Sequence, residues 1–322
     1  MTEERPNPTF VSVVIPAFNS AEFMAETLDS VFAQTYPHYE VIVINDGSSD
    51  TEDLERVLQR YPSNLRYIKQ ENQGAAVARN AGLRAATGDL VAFLDADDTW
   101  LPTFLEKQMK LLSTTNADLV FSDALLFGDS PLDGRTFMEI DVPRGEVTAE
   151  SLLAVKVTVL TSTVLAHKQP ILDVGMFDVS LRRGQDFDLW LRLAKAGVRF
   201  AYTRDVLAHH RIVESGLSGG TISQLKRTLA VLDAVKARGG LTDAEQAAFQ
   251  WNLNRTHREL ALESGKEKLL ARDYDGALQS FCEARYYQHS WKLVFVCWAL
   301  RIAPGMLWRL YHRREMTLAK SV

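Results

Sequence analysis

The stretch Leu90–Pro102, LVAFLDADDTWLP, constrains the chain more than any other. Mostly apolar residues suited to a buried strand run straight into three carboxylates, Asp95, Asp97 and Asp98. Carboxylates set this close repel one another, and a hard cation is the usual reason to place them at the end of a core strand. An all-oxygen set favours Mg2+ or Mn2+, which keep positions open for water and substrate phosphates. The alternative is an acidic turn whose Asp98 or Thr99 caps a helix beginning near Pro102.

Residues 11–15, 40–44, 65–69 and 90–94 are short runs rich in branched side chains, the pattern of strands covered on both faces. Between them Met24, Leu28, Val31 and Phe32 repeat with helical spacing. Leu54, Val57, Leu58 and Tyr61 do the same behind Ser49 or Asp50 as N-cap. The alternation predicts βαβ units, a mostly parallel central sheet and an α/β fold. Polar clusters follow directly on three strands, at 16–19, 45–48 and 95–98. Ligands of open α/β sheets lie beyond the carboxyl ends of the strands, so the three are expected to converge. Residues 115–175 read as loops and edge strands. A helix is expected after Gly184, with Asp188 and Arg192 as an exposed i, i+4 ion pair.

After Gly219-Gly220 the sequence becomes continuously helical, so 1–218 and 221–322 are read as two domains. Thr242 and Glu245 suit a capping box, and 273–284 has the spacing of a helical hairpin. Net charge is −5, with no basic stripe interleaved with aromatics in the first 290 residues, which argues against nucleic acid. Cys282 and Cys297 sit in apolar helical sequence and suit buried thiols in a reducing compartment. No apolar run opens the chain, and none reaches the ~18–20 residues that span a bilayer. A cytoplasmic protein is expected. The last 32 residues invert the charge: six Lys/Arg against one Glu leave +5, while the first 290 carry 30 against 40, or −10. Trp291, Trp298 and Trp308 lie there too. An interfacial helix pair on an anionic membrane surface, at the inner face, and a helix simply packed on the domain both fit.

The blocks VSVVIPAFN (11–19), YEVIVINDGSSD (39–50), ENQGAAVARNAGLRAATGDLVAFLDADD (71–98) and GQDFDLWLRL (184–193) resemble glycosyltransferase family 2. These are inverting transferases of the GT-A fold, and the resemblance covers about residues 10–215. It implies a nucleotide-sugar donor, with a UDP-sugar favoured, and a glycan or lipid-linked acceptor of surface-polysaccharide biosynthesis. It also implies residue roles. Pro16 and Ala17 would meet the nucleotide base, Asp46 would accept its ring N–H, and Asn19 would support that loop. Asp95 and Asp97 would hold the ribose and an Mn2+ or Mg2+ ion, with Asp98 sharing either task. Arg79 would lie near the diphosphate, and Asp186 would act as catalytic base. Asp188, Trp190 and Arg192 would pack and orient that block.

The chain departs from the family pattern at two places. Gln185 stands where many relatives have Glu, and Val213 where a histidine is common, which leaves His210 as the candidate third metal ligand. The chemistry is consistent with the resemblance. A metal can stabilise the departing diphosphate as a Lewis acid, and one carboxylate can take the proton of the acceptor hydroxyl. Two other readings are a nucleotidyltransferase and a non-catalytic nucleotide-sugar-binding module. The first lacks a Gly-rich, Lys-containing phosphate loop. The second would be expected to have lost Asp97 or Asp186.

Overall fold

Strands β1 (Val11–Ala17), β2 (Tyr39–Asp46), β3 (Leu65–Gln70) and β4 (Leu90–Phe93) form where the four apolar runs predict them. They pair in parallel in the order β3-β2-β1-β4. Every residue of β2 is buried, and in β1 all but Pro16 are, so neither strand has a wet face to alternate with. β3, at the sheet edge, has no fully buried residue. The computed structural model describes residues 9–128, 130–212, 221–288 and 290–318.

Helices α1 (Ala21–Phe32), α2 (Thr51–Leu58) and α3 (Ala75–Ala85) connect these strands. A Cβ on Gly82 would stand 2.4 Å from Val14 Cγ1 and 2.9 Å from Ile44 Cδ1, so only glycine lets α3 lie this close to the sheet. Asp50 occupies the N-cap position of α2, but its carboxylate accepts from the Ala21 N–H at 2.8 Å instead, tying the start of α1 to the β2–α2 loop.

β5 (Thr99–Trp100), β6 (Leu119–Gly128), β7 (Leu165–His167) and β8 (Phe200–Ile212) complete a sheet ordered β3-β2-β1-β4-β7-β6-β8-β5. β7 is antiparallel to β4 and β6, β5 is antiparallel to β8, and β6 and β8 are parallel. The sheet is therefore a parallel half joined to a mixed half. Helices α4 (Phe104–Thr115), α5 (Phe137–Ile140), α6 (Ala149–Leu153), α7 (Lys168–Asp173) and α8 (Gln185–Lys195) belong to the second half. A 3-10 turn, Thr161–Thr163, precedes β7.

Two local expectations are corrected. α4 starts at Phe104 behind Thr103, so neither Asp98 nor Thr99 caps it, and Thr99 pairs in β5. Asp188 and Arg192 are not an exposed pair. Asp188 is fully buried 2.9 Å from Arg192 Nε, and the same guanidinium donates to the carbonyls of Val174 and Met176 at 2.6 Å. The arginine thereby holds a turn in which Gly175 and Met176 both have positive φ.

The chain divides into compact units at 1–213 and 214–322. The Gly219-Gly220 boundary and Val213 lie outside the described residues. The second unit consists of α9 (Thr221–Arg238), α10 (Asp243–Leu270), α11 (Tyr274–Tyr287), α12 (Trp291–Ile302) and α13 (Pro304–Leu318). The expected capping box opens α10: Thr242 Oγ1 accepts from Glu245 N, and Glu245 Oε2 accepts from Thr242 N. Leu269, Ala277, Phe281, Cys297 and Leu300 form its core. Pro304, with no N–H to satisfy, separates α12 from α13 at a first helical position. Among the described residues no helix is long and apolar enough to cross a membrane.

Candidate active site

The ends of β1 and β2 are tied together by short polar side chains. Asn19 has φ of 50°, and its Oδ1 accepts from Ser49 N at 2.8 Å and Ser49 Oγ at 3.0 Å. Its own N–H donates to Ser48 Oγ at 3.1 Å. Asn19 thereby links the end of β1 to the β2–α2 loop. Asp46 is nearly fully buried. Its Oδ1 accepts from Gln70 Nε2 at 2.7 Å and Gln73 N at 3.0 Å, and its Oδ2 from Gly74 N at 2.8 Å. A carboxylate accepts about four hydrogen bonds, so holding the β3–α3 loop uses three of those Asp46 can accept.

The three aspartates after β4 have different surroundings. Asp95 is partly exposed; its Oδ1 is 2.5 Å from Arg79 NH2, and its N–H donates to Ser162 Oγ at 3.2 Å. Asp97 is partly exposed, and Arg211 Nε holds its carbonyl at 3.0 Å. Asp98 is wholly buried. It accepts from Ser162 Oγ at 2.5 Å and from Arg211 N at 2.8 Å, and His210 Nδ1 lies 2.9 and 3.1 Å from its two oxygens. The β5–β8 pairing of Thr99 with His209 makes this arrangement, by setting the end of β8 against the aspartate turn.

Asp186 lies in the first turn of α8, behind Gly184 as the cap residue. Its Oδ1 accepts from Phe187 N at 2.8 Å and its Oδ2 from Thr161 Oγ1 at 3.3 Å. Burial works against the Arg79 charge, yet Asp95, Asp186 and Asp97 outweigh it and raise the guanidinium pKa. The three carboxylates therefore act on one buried arginine. Arg79 is 6% exposed and braces Asp95 from the interior.

Of the expected metal set of Asp97, Asp98 and His210, Asp98 and His210 bond to each other, while Asp97 is partly exposed. Among the described residues, no group of three or more His, Cys, Asp or Glu is arranged to hold an ion. Asp98 has both oxygens engaged in the interior. Burial opposes the His210 charge, but Asp98, then Asp95 and Asp97, push its pKa up to about 9. Asp97 differs again: burial, then Asp98 and Asp95, push it up to about 7, against the opposing pull of His210. It is the carboxylate of the cluster left with excess negative charge around it.

Reading the sequence missed the Thr161–Thr163 turn. Thr161 orients Asp186, Ser162 serves both Asp95 and Asp98, and Gln108 Nε2 holds the Thr163 carbonyl at 2.6 Å. Trp100 Nε1 donates to the Ser162 carbonyl at 2.7 Å. One signal was present: three consecutive hydroxyl residues inside the apolar run 157–165 must find partners once buried.

The sequence profile of glycosyl transferase family 2 matches residues 12–152. The putative teichuronic acid biosynthesis glycosyltransferase TuaG of Bacillus subtilis is 31% identical over 232 residues, covering 71% of this chain and 88% of TuaG. The chain belongs to glycosyl transferase family 2. It is a glycosyltransferase. The UDP-Glc:alpha-D-GlcNAc-diphosphoundecaprenol beta-1,3-glucosyltransferase WfgD of Escherichia coli is 26% identical over 224 residues, covering 69% of this transferase and 85% of WfgD. An uncharacterized glycosyltransferase of Rickettsia conorii is 30% identical over 201 residues. That match takes in 60% of this chain and only 33% of the longer protein. Two solved structures share the GT-A fold at 18% identity. TarS 1–349 of S. aureus, in complex with UDP-GlcNAc, has a TM-score of 0.61, covering 87% of this chain and 92% of TarS 1–349. The Pyrobaculum calidifontis mannosyltransferase PcManGT, with GDP-Man and Mn2+, has a TM-score of 0.64, covering 95% of this chain and 85% of PcManGT.

Proposed function

We propose that this enzyme moves a sugar from a nucleotide-sugar donor, with a UDP-sugar favoured, to a hydroxyl of a glycan or lipid-linked acceptor, inverting the anomeric centre. The observation that carries the reading is the Thr161–Thr163 turn, where Ser162 bonds to Asp95 and Asp98 and Thr161 to Asp186, so that the aspartate cluster and Asp186 meet at one place. The relatives support its finer terms: TarS holds UDP-GlcNAc, TuaG is named for teichuronic acid, and WfgD for a diphosphoundecaprenol-linked acceptor. A cytoplasmic site of action belongs to the same proposal.

Asp186 is the base. Its two hydrogen bonds aim the carboxylate and leave lone pairs for an acceptor hydroxyl. The hydroxyl oxygen bonds to the anomeric carbon as Asp186 takes its proton. The bond from that carbon to the donor phosphate breaks on the opposite face, and the nucleoside diphosphate leaves with the electron pair. Arg79 keeps Asp95 in place, and Asp95 is assigned to the ribose. Pro16, Ala17, Asn19 and Asp46 form the base end of the donor site.

An oxygen-bound Mn2+ or Mg2+ fits Asp97, because a carboxylate pushed up to about 7 by burial and by two neighbouring carboxylates is relieved by a hard cation. Asp97, with Asp95, would hold that ion, and bound there it would offset charge on the departing diphosphate.

A donor panel assayed for nucleotide release, with and without chelator, tests the reading. One UDP-sugar should stand out, chelator should remove the activity, and Mn2+ or Mg2+ should restore it. Asp97→Ala should abolish metal-stimulated donor binding. Full activity in chelator would restrict the aspartate cluster to ribose binding. Release from no sugar donor, with nucleotidyl transfer from a nucleoside triphosphate instead, would overturn the reading.

A further inference from the structure

Helix α12 is apolar on two faces. Leu293, Val296, Cys297 and Leu300 point into the core of the helical unit. On the opposite side Trp291, Val294, Phe295, Trp298 and Ile302 follow at i, i+3, i+4, i+7 and i+11, each 49–77% exposed. On α13, Met306 and Leu310 are likewise exposed, while Trp308 turns inward and donates to the Leu270 carbonyl. The fifteen large apolar side chains exposed among the described residues include these seven, so they form a patch and are not scattered. A helix facing water carries polar residues on that side.

The patch has a charge of its own. Residues 284–314 contain six Lys/Arg and no Asp or Glu, in a chain whose net charge is −5. Lys292 and Arg301 are exposed on α12 at the two margins of the apolar stripe, and Arg309 is exposed next to Leu310 on α13. Tryptophan, aliphatic residues and cations on one helix surface are the chemistry of a lipid headgroup boundary. A two-fold pairing of this face with a second copy would bring like charges together.

We propose that the outer face of α12 and α13 docks the enzyme on an anionic lipid surface. The helices lie in the plane of the interface, since neither is long and apolar enough to cross it. The proposal rests on surface chemistry alone and is independent of the glycosyl-transfer reading. Where both hold, docking brings the enzyme to a lipid-borne acceptor.

The test is flotation of the full chain with vesicles of phosphatidylcholine, alone or mixed with phosphatidylglycerol. Binding should require phosphatidylglycerol and weaken as salt rises. Each cation contributes roughly a fivefold factor in partition, so Lys292→Gln, Arg301→Gln and Arg309→Gln together should lose on the order of 10²-fold. Phe295→Ser with Trp298→Ser should lose binding at low salt as well, with nucleotide release in solution unchanged. Equal binding to both vesicle types, or to neither, would overturn the proposal. So would self-association in the ultracentrifuge that Trp298→Ser abolishes while no vesicle is bound.

Discussion

The first unit takes charge inside, whereas the second leaves apolar groups outside. In the first, Glu40, Asp46, Arg79, Asp98 and Asp188 are all buried. In the second, none of the buried polar residues described is charged, yet seven large apolar side chains of α12 and α13 face outward. Each departure from ordinary burial has a different resolution. Glu40 loses solvation, but Thr87, Ser12 and Arg66 hydrogen-bond it and hold its pKa below the usual carboxylate range. Asp97 has neighbours of its own sign and is pushed up to about 7. A buried charge with partners is a structural element; one without them is a site awaiting a ligand. The outer face of α12 is the apolar counterpart of Asp97, a group left unmatched within its own unit.

The sharpest way to break that contrast is at the base. Asp186→Asn keeps the shape, can still accept from Phe187 N and can donate to Thr161 Oγ1, but removes basicity. Turnover should fall by ~10²–10⁴ with donor affinity nearly unchanged. Steady-state kinetics at saturating acceptor decides it. Near-normal turnover would move Asp186 into the structural group with Glu40.

Asp98 is predicted to belong with the partnered charges. Asp98→Asn removes the counterion of His210 and should destabilise the fold by about 3 kcal/mol, the lower end of the cost of breaking a buried pair, because the imidazole is partly exposed. Denaturant melts without metal would measure it. The pH dependence carries the sign. His210 has its pKa raised from 6.5 to about 9, so the stability it contributes is complete below pH 6.5 and is lost as pH rises through 9. Wild-type stability should decline across that window, and the variant should lose this decline. A wild type with no decline would mean that His210 is not held as a cation.

The parallel half of the fold was legible because its signals are local. Continuous apolar runs mark β1, β2 and β4, and helical spacing marks α1 and α2. The mixed half was not, because β5 is only Thr99–Trp100 and β7 only Leu165–His167, too short to show a period. The same division runs through the site. Asp95, Asp97 and Asp186 could be picked out by their motifs. The opposite fates of the neighbours Asp97 and Asp98 could not, since they depend on Ser162, His210 and Arg211, 64 to 113 positions away. Asp188 and Arg192 look like a surface pair by spacing alone. Only the carbonyls of Val174 and Met176, brought in by the fold, explain why both are taken inside.

The smallest effect expected separates the two faces of α12. Leu300 is 4% exposed and packs in the core of the helical unit, so Leu300→Ala should cost about 2–5 kcal/mol through lost burial and the cavity left behind. Trp298, two residues earlier, is 57% exposed and touches Phe295 at a ring separation of 6.0 Å on the same outer face. Trp298→Ser should shift stability by no more than about 0.5 kcal/mol in the lipid-free protein. Parallel thermal melts of the two variants give the comparison directly. A cost for Trp298→Ser as large as for Leu300→Ala would mean that the outer face is already packed, and the apolar surplus of the second unit would then be part of its core. A negligible cost would leave that surface unneeded for folding of the unit and available for the proposed lipid contact.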